Sequence, residues 1–196
     1  KNNLQIISSL IRLEAGRTRQ EEVKSVLSDM QGRIRSMALL HELLYRSPSL
    51  AEIDMGQYIR QLAMQVFSAN VSKRAPVDLK IDITPVAANL DQAIPCGLLV
   101  NELITNALKH GFPESHSGSI SVELHPVGES SLWSLSVSDS GIGLPEDFES
   151  KRQGSLGLQL ASGLANQLGG ALSVGPGTKF SVRFSIVEHA PAAVAA

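Results

Sequence analysis

Residues 101–112 read NELITNALKHGF, and their polar side chains fall on one side of a helix. Side chains four positions apart share a helical face, so Glu102, Asn106 and His110 form a stripe flanked by Asn101, Thr105 and Lys109. Leu99, Leu103 and Ala107, with Val100, Ile104 and Leu108 beside them, form the core-facing side. A solvated face usually favours Lys and Glu, whereas here two Asn and a His join one carboxylate and one ammonium. Such a set supplies oxygen ligands for a hard cation and donors for phosphate oxygens. Taken alone, an ordinary solvated face is the commoner meaning of such a helix.

Three further stretches carry polar chemistry at backbone turns. DSGIGLP, residues 139–145, follows a predicted strand: Asp139 can accept a hydrogen bond from an exocyclic amine, and Gly141 and Gly143 permit a turn lying against a flat ring. An ordinary glycine turn closing a strand has the same letters. In GSLGL, residues 154–158, Gly154 and Gly157 bracket a helix start and Ser155 adds a hydroxyl. Unpaired N–H groups and the helix dipole suit an anion there, though a plain loop and cap also fits. GTKF, residues 177–180, puts Thr178 at a strand start and says little by itself.

The elements that must hold these stretches can be read along the 196 residues. Leu4, Ile7 and Ile11, then Val23, Val26, Leu27, Met30, Ile34, Met37 and Leu44, have helical spacing. Gly16 suits a helix end and Thr18 a new N-cap, with Glu21 completing a capping box. So short a break predicts an antiparallel hairpin, ending at Ser47-Pro48-Ser49. Beyond it the spacing predicts helices over 55–68, 91–111 and 155–168, the last with a buried stripe of Leu156, Leu160, Leu164 and Leu168. Strands are expected at 77–83, 118–125, 132–138, 171–174 and 179–186. The fold class is therefore α+β: a two-helix hairpin, then an antiparallel or mixed sheet covered by helices on one face. The domains are expected at 1–48 and 49–187, with a disordered alanine-rich tail at 188–196.

Composition narrows the function classes. Seventeen Lys plus Arg against 19 Asp plus Glu leave a net charge of −2, too little to attract nucleic acid by bulk field. Cys96 is the only cysteine and sits in an apolar run, so a buried structural thiol and a reducing, cytoplasmic setting are expected. No apolar segment is long enough to span a bilayer. The start at Lys1, within a helical pattern and without an initiator methionine, points to a piece of a longer chain. Membrane anchorage of that parent stays open.

In order and spacing the four stretches resemble the nucleotide-binding boxes of the GHKL ATPase superfamily, shared by Hsp90, type II topoisomerases, MutL and histidine kinases. NELITNALKHGF looks like the N box, DSGIGLP the G1 box, GSLGL the G2 box and GTKF the terminal threonine motif. The resemblance runs from about 55 to 187 and implies a Bergerat-type α/β sandwich, a mixed sheet under helices with ATP on the helix side. KNNLQIISSLIRLEAGR together with RIRSMALLHELLYRS is similar to the dimerisation and phosphotransfer hairpin of the HisKA_2 class of bacterial sensor histidine kinases. In that class the phosphoacceptor lies in H-R-x-K-N-N-L-Q, just upstream of the lysine matching Lys1. His41 then reads as structural or interfacial.

By this resemblance Asn106 binds Mg²⁺, with Asn101 and Glu102 as polar support or as a water or proton partner, and Glu102 and Asn106 as the catalytic pair. Lys109 and His110 lie near the phosphates, Asp139 receives the adenine amino group and Thr178 sits at the adenine end. Gly141, Gly143, Gly154, Ser155, Gly157 and Leu158 shape the pocket and lid. PEDFESKRQ is short for a lid, and its Lys151 and Arg152 read as a solvated loop or as phosphate contacts. The implied function is an ATP-dependent histidine kinase core that passes its phosphoryl group to a response-regulator aspartate. A sensor domain upstream and a homodimer through the hairpin are expected partners, although apolar spacing alone does not decide dimerisation. A non-catalytic phosphotransfer or scaffold protein, and a serine kinase or ATPase on the same fold, are the alternatives. Intact Asn106, Asp139, Gly141, Gly143 and Gly157 argue against the first and the hairpin against the second.

Overall fold

A computed structural model describes residues 2–46, 53–71, 76–113, 116–129, 131–148 and 155–186. The Ser47-Pro48-Ser49 boundary, Lys151, Arg152, Gly154 and the tail at 188–196 lie outside the described residues. Two helices, α1 (Asn2–Arg17) and α2 (Glu21–Arg46), form the expected hairpin. The second starts later than the expected cap: the Thr18 hydroxyl accepts from the Gln20 N–H at 3.3 Å, turning the chain before the helix begins at Glu21. Gln31 of α2 donates to the Ser8 carbonyl of α1 at 3.5 Å, which sets the antiparallel register.

The rest is a helix-on-sheet sandwich. A five-stranded mixed sheet has the order β2 (Val77–Ile83), β4 (Gly118–Pro126), β5 (Leu132–Asp139), β7 (Phe180–Ser185), β6 (Ser173–Val174). Only the β2–β4 pairing is parallel. A short antiparallel pair, β1 (Ile53–Asp54) with β3 (Ala87–Ala88), has no counterpart among the expected strands, being too brief for alternation to show. Strand period 2 puts Ile120, Val122, Leu124, Leu135, Val137, Val182 and Phe184 on the buried face. They join one core with α3 (Met55–Asn70), α4 (Leu90–Asn106) and α5 (Leu156–Gln167). Asp54, Asn89 and Ser155 cap α3, α4 and α5 through side-chain oxygens, satisfying N–H groups at each start.

On α4 the expected core stripes hold: Leu99, Val100 and Ile104 are fully buried, and Leu103 and Ala107 nearly so. On α5 the expected stripe needs correction. Leu156 is 66% exposed, and burial follows Leu158, Ala161, Leu164, Ala165 and Leu168 instead. A row at strict four-residue spacing drifts around a 3.6-residue helix, so Leu156 in the first turn has rotated off the core. Cys96 is buried, and burial pushes its thiol well above the ordinary range. Among the described residues no helix is long and apolar enough to cross a membrane.

Tyr58 ties three helices together. From α3 its ring crosses α4 over Gly97, and its hydroxyl donates to the Ser36 carbonyl of α2 at 3.3 Å. A Cβ on residue 97 would overlap the phenol. We expect Gly97→Ala to destabilise the fold by roughly 2 kcal/mol or more in a urea melt, through overpacking of this crossing. On the outer sheet face, Glu123 accepts from Lys179 Nζ at 2.7 Å and Ser136 Oγ at 3.0 Å. The hydrogen bond from Lys179 holds its carboxyl below the usual range. A lowered folded value makes this contribution full above the unfolded value of about 4.3, and lost as pH falls through the folded one. Glu123→Gln should therefore lose less stability than the parent between about pH 6 and pH 3 in parallel melts.

Candidate functional site

The helix carrying the polar stripe does not end regularly. After Asn106 it opens into a π-turn, Ala107–Gly111, a widening often found at functional sites. The turn presents the Gly111 carbonyl to the Ile142 N–H at 3.0 Å, which stitches the 139–145 loop to the end of α4. Gly141 lies so close that a Cβ there would collide with the Gly111 carbonyl oxygen. Gly143 follows at φ +87°, which its lack of a side chain permits.

Asp139 ends β5 beneath this seam. The Thr178 hydroxyl accepts from the Asp139 N–H at 3.3 Å and donates to the Asp139 carbonyl at 2.7 Å, fixing its backbone from the β6–β7 side. Asp139 Oδ1 accepts from the Gly141 N–H at 2.9 Å, and among the described residues Oδ2 has no hydrogen-bond partner. Thr178 is buried, so the clamp is shielded from water.

Above Asp139 is a cavity of about 500 Å³, within the range of small-molecule sites. Its apolar walls come from Leu103, Val137, Ile142, Leu144, Phe148 and Phe180. The two phenylalanine rings pack edge to face at 5.9 Å, giving the cavity a firm side. Its polar lining is Asn106 and His110 from the α4 end, Asp139 and Thr178 below, and Ser155 at the start of α5. Ser155 also caps α5 by accepting from the Leu158 N–H at 3.4 Å. An apolar cavity lined also by a carboxylate, an amide, an imidazole and a helix N-terminus suits an aromatic base linked to an anion.

The expected site residues divide between two faces. Asn106, His110, Asp139, Gly143, Ser155, Leu158 and Thr178 line the cavity, with Gly141 directly behind it. Gly157 lies beside Glu102 and Asn106, where a Cβ would sit 3.4 Å and 3.7 Å from their side chains. Asn101, Glu102 and Lys109 turn to the hairpin instead. Arg33 of α2 donates to both Glu102 oxygens, Nε at 2.8 Å and Nη2 at 3.1 Å, while Asn101 Nδ2 donates to Glu102 Oε1 at 3.4 Å. Lys109 Nζ donates to Asp29 Oδ1 at 2.6 Å and to Ser25 Oγ at 3.3 Å. Hydrogen bonded to Glu102, the Arg33 guanidinium is raised above its usual range against the opposing effect of burial. Among the described residues no group of three or more His, Cys, Asp or Glu could hold a metal ion. A cation here would rest on the Asn106 amide oxygen and on oxygens of the ligand, a set suited to a hard ion.

Sequence reasoning missed Arg33 and Asp29, which lie 69 and 80 residues from their partners. The available signal was a polar row, Ser25, Asp29, Arg33, at four-residue spacing on an amphipathic helix. It also missed the ring pair Phe148 and Phe180, whose positions have no periodic signature.

Comparison with known proteins identifies the family and the fold. The HisKA_2 histidine kinase model matches residues 1–70, past the hairpin and through α3. The model for histidine kinase-, DNA gyrase B-, and HSP90-like ATPases, HATPase_c, matches residues 91–188. The chain is 31% identical over 178 residues to the sensor histidine kinase PdtaS of Mycobacterium tuberculosis, covering 89% of this chain and 34% of that one. It is 27% identical over 196 residues to blue-light-activated histidine kinase 2 of Erythrobacter litoralis, covering 96% of this chain and 55% of that one. The chain thus spans between a third and a little over half the length of these relatives. Its fold matches the histidine kinase domain of the E. litoralis blue-light activated kinase EL346 with a TM-score of 0.71 and 26% identity, over 95% of this chain and 87% of that one. With both its hairpin and its sandwich matched in this way, the chain belongs to the HisKA_2 class of histidine kinases, with a catalytic domain of the HATPase_c family.

Proposed function

We propose that this chain is the core of a two-component sensor histidine kinase that binds Mg-ATP in the α4–α5 cavity and phosphorylates a histidine on the hairpin, upstream of Lys1. The observation that carries this reading is the pairing, in one cavity, of an Asp139 oxygen with no hydrogen-bond partner among the described residues and the Asn106 amide. Asp139 Oδ2 accepts the adenine amino group, and Thr178 holds that carboxylate in place through its backbone. The apolar walls exclude water around the base. His110, Ser155 and the N-terminus of α5 face the phosphates, Asn106 binds Mg²⁺, and Gly157 lets α5 approach Asn106. When bound, the metal neutralises charge on the phosphate oxygens. Glu102 acts as a proton or water partner beside Asn106, and Asn101 supports it.

In the transfer step an imidazole nitrogen of the acceptor attacks the γ-phosphorus with its lone pair. The bond from phosphorus to the bridging oxygen breaks, ADP leaves with that electron pair, and the imidazole passes its remaining N–H proton to water. The phosphoryl group then passes to an aspartate of a response-regulator receiver domain. An ATP donor places this chemistry in the cytoplasm, under the control of a sensor domain in the parent chain. The hairpin exposes Ile6, Leu10, Leu13, Val26 and Met30, which supports a second copy packing there as a four-helix bundle.

Two measurements test the reading. Asp139→Asn keeps an oxygen for the Gly141 N–H but removes the charge, and should weaken ATP binding about tenfold or more by calorimetry. Asn106→Ala should abolish the Mg²⁺ dependence of that binding, whereas a wild-type response from both variants would sink the site. Separately, this chain and one extended upstream through the acceptor are incubated with γ-labelled ATP and Mg²⁺. Both should bind ATP and only the extended chain should gain an acid-labile label; absence of ATP binding by either would favour a scaffold.

A further inference from the structure

We infer that Lys179, Glu123 and Ser136, on the sheet face opposite the cavity, are positioning residues for the nucleotide base: they strap the β6–β7 turn across β5 and so hold Thr178 against Asp139. The inference rests on the kinase reading above, in which Asp139 receives the adenine amino group. Side chains that follow one another along an extended chain point to opposite faces. Thr178 and Phe180 line the cavity, and Lys179 between them is 44% exposed on the other side. Its ammonium reaches past β5 to β4, where one oxygen, Glu123 Oε2, accepts from Lys179 Nζ at 2.7 Å and from Ser136 Oγ at 3.0 Å. Ser136 stands opposite Glu123 in the β4–β5 register and opposite Ser181 in the β5–β7 register. It is only 3% exposed although it shares the outer face with them, so the middle strand is closely covered where the strap crosses it.

Thr178 needs such a hold because the strand pairing has already ended. The β5–β7 ladder stops at Val137 opposite Phe180, and Thr178 lies before it, directly after Gly175, Pro176 and Gly177. The two glycines have the freest backbones of any residue, and proline has no N–H to contribute. The turn closes on itself through the Gly175 N–H and the Lys179 carbonyl at 2.8 Å. The Thr178 hydroxyl grips the Asp139 backbone, accepting at 3.3 Å and donating at 2.7 Å. The Lys179 ammonium then anchors the same turn to β4, beyond the strand that carries Asp139. An exposed ion pair adds little to the stability of a whole domain. Here its pull acts on the short segment whose hydroxyl sets the backbone of the base-binding carboxylate, and binding is sensitive to small misplacements of such a group.

The test compares binding of ATP with that of purine riboside triphosphate, which carries hydrogen in place of the 6-amino group, by calorimetry with Mg²⁺ present. The proteins are the parent chain, Lys179→Arg, Lys179→Met, Glu123→Gln and the double variant Lys179→Met/Glu123→Gln, with thermal midpoints measured alongside. The parent should prefer ATP, and Lys179→Arg should keep that preference. Lys179→Met should lower the preference about threefold, by weakening ATP and leaving the analogue unchanged, and Glu123→Gln should act in the same direction. The double variant should lose no more than Lys179→Met alone, because both changes act through one pair. An unchanged preference in Lys179→Met, or an equal loss for the two nucleotides, overturns the strap and leaves the kinase reading intact. If the parent binds neither nucleotide, or both equally, the assignment of Asp139 to the adenine amino group falls and the strap with it.

Discussion

A carboxylate as enclosed as that of Glu102, only 6% exposed, needs a charged partner and filled hydrogen-bonding positions. Arg33 supplies both from a helix 69 residues away in sequence. Much else follows from this pair. It holds α2 against α4, brings Gly32 onto Asn101, and lets Tyr58 reach Ser36 across Gly97. The hairpin is thereby fixed to the side of α4 that the cavity does not use. Removing Arg33 would leave the Glu102 carboxylate buried without its charged partner, which costs more than the pair itself contributes.

The cavity depends on a different kind of force. Its floor and rim are held by hydrogen bonds that each engage a backbone group: the Gly111 carbonyl with the Ile142 N–H, the Asp139 backbone with the Thr178 hydroxyl, and the Leu158 N–H with the Ser155 hydroxyl. These bonds leave one Asp139 carboxylate oxygen without a hydrogen-bond partner among the described residues. The π-turn serves this purpose as well, since a regular α-helical end would not present the Gly111 carbonyl in the same place.

Much of the architecture was legible because it is local and periodic. Alternation in 77–83, 118–126 and 132–139 marked strands with one buried face, and the apolar rows of α4 marked its core side. Both read correctly because burial repeats every 2 or 3.6 residues. Leu156 failed where the row reached a helix start and there was no neighbour to cover it. Val23, Val26, Met30 and Met37 have the same helical spacing as core residues yet are 37–44% exposed, since spacing shows that a face is apolar and not what covers it. The β1–β3 pair is too short to carry any period.

The sequence by itself determined the longer helices and strands, the four polar boxes and their order, because each is encoded locally along the chain. Asp139, Asn106 and Thr178 were identifiable on that basis, and tertiary structure brought them around one cavity. What only the fold decided was how the polar face of α4 is shared. Asn106 and His110 went to the cavity, while Glu102 and Lys109 went to Arg33 and Asp29. On the helical wheel Glu102, Asn106 and His110 are one stripe; which helix packs against each part of it is set by contacts far apart in sequence, which no local period records.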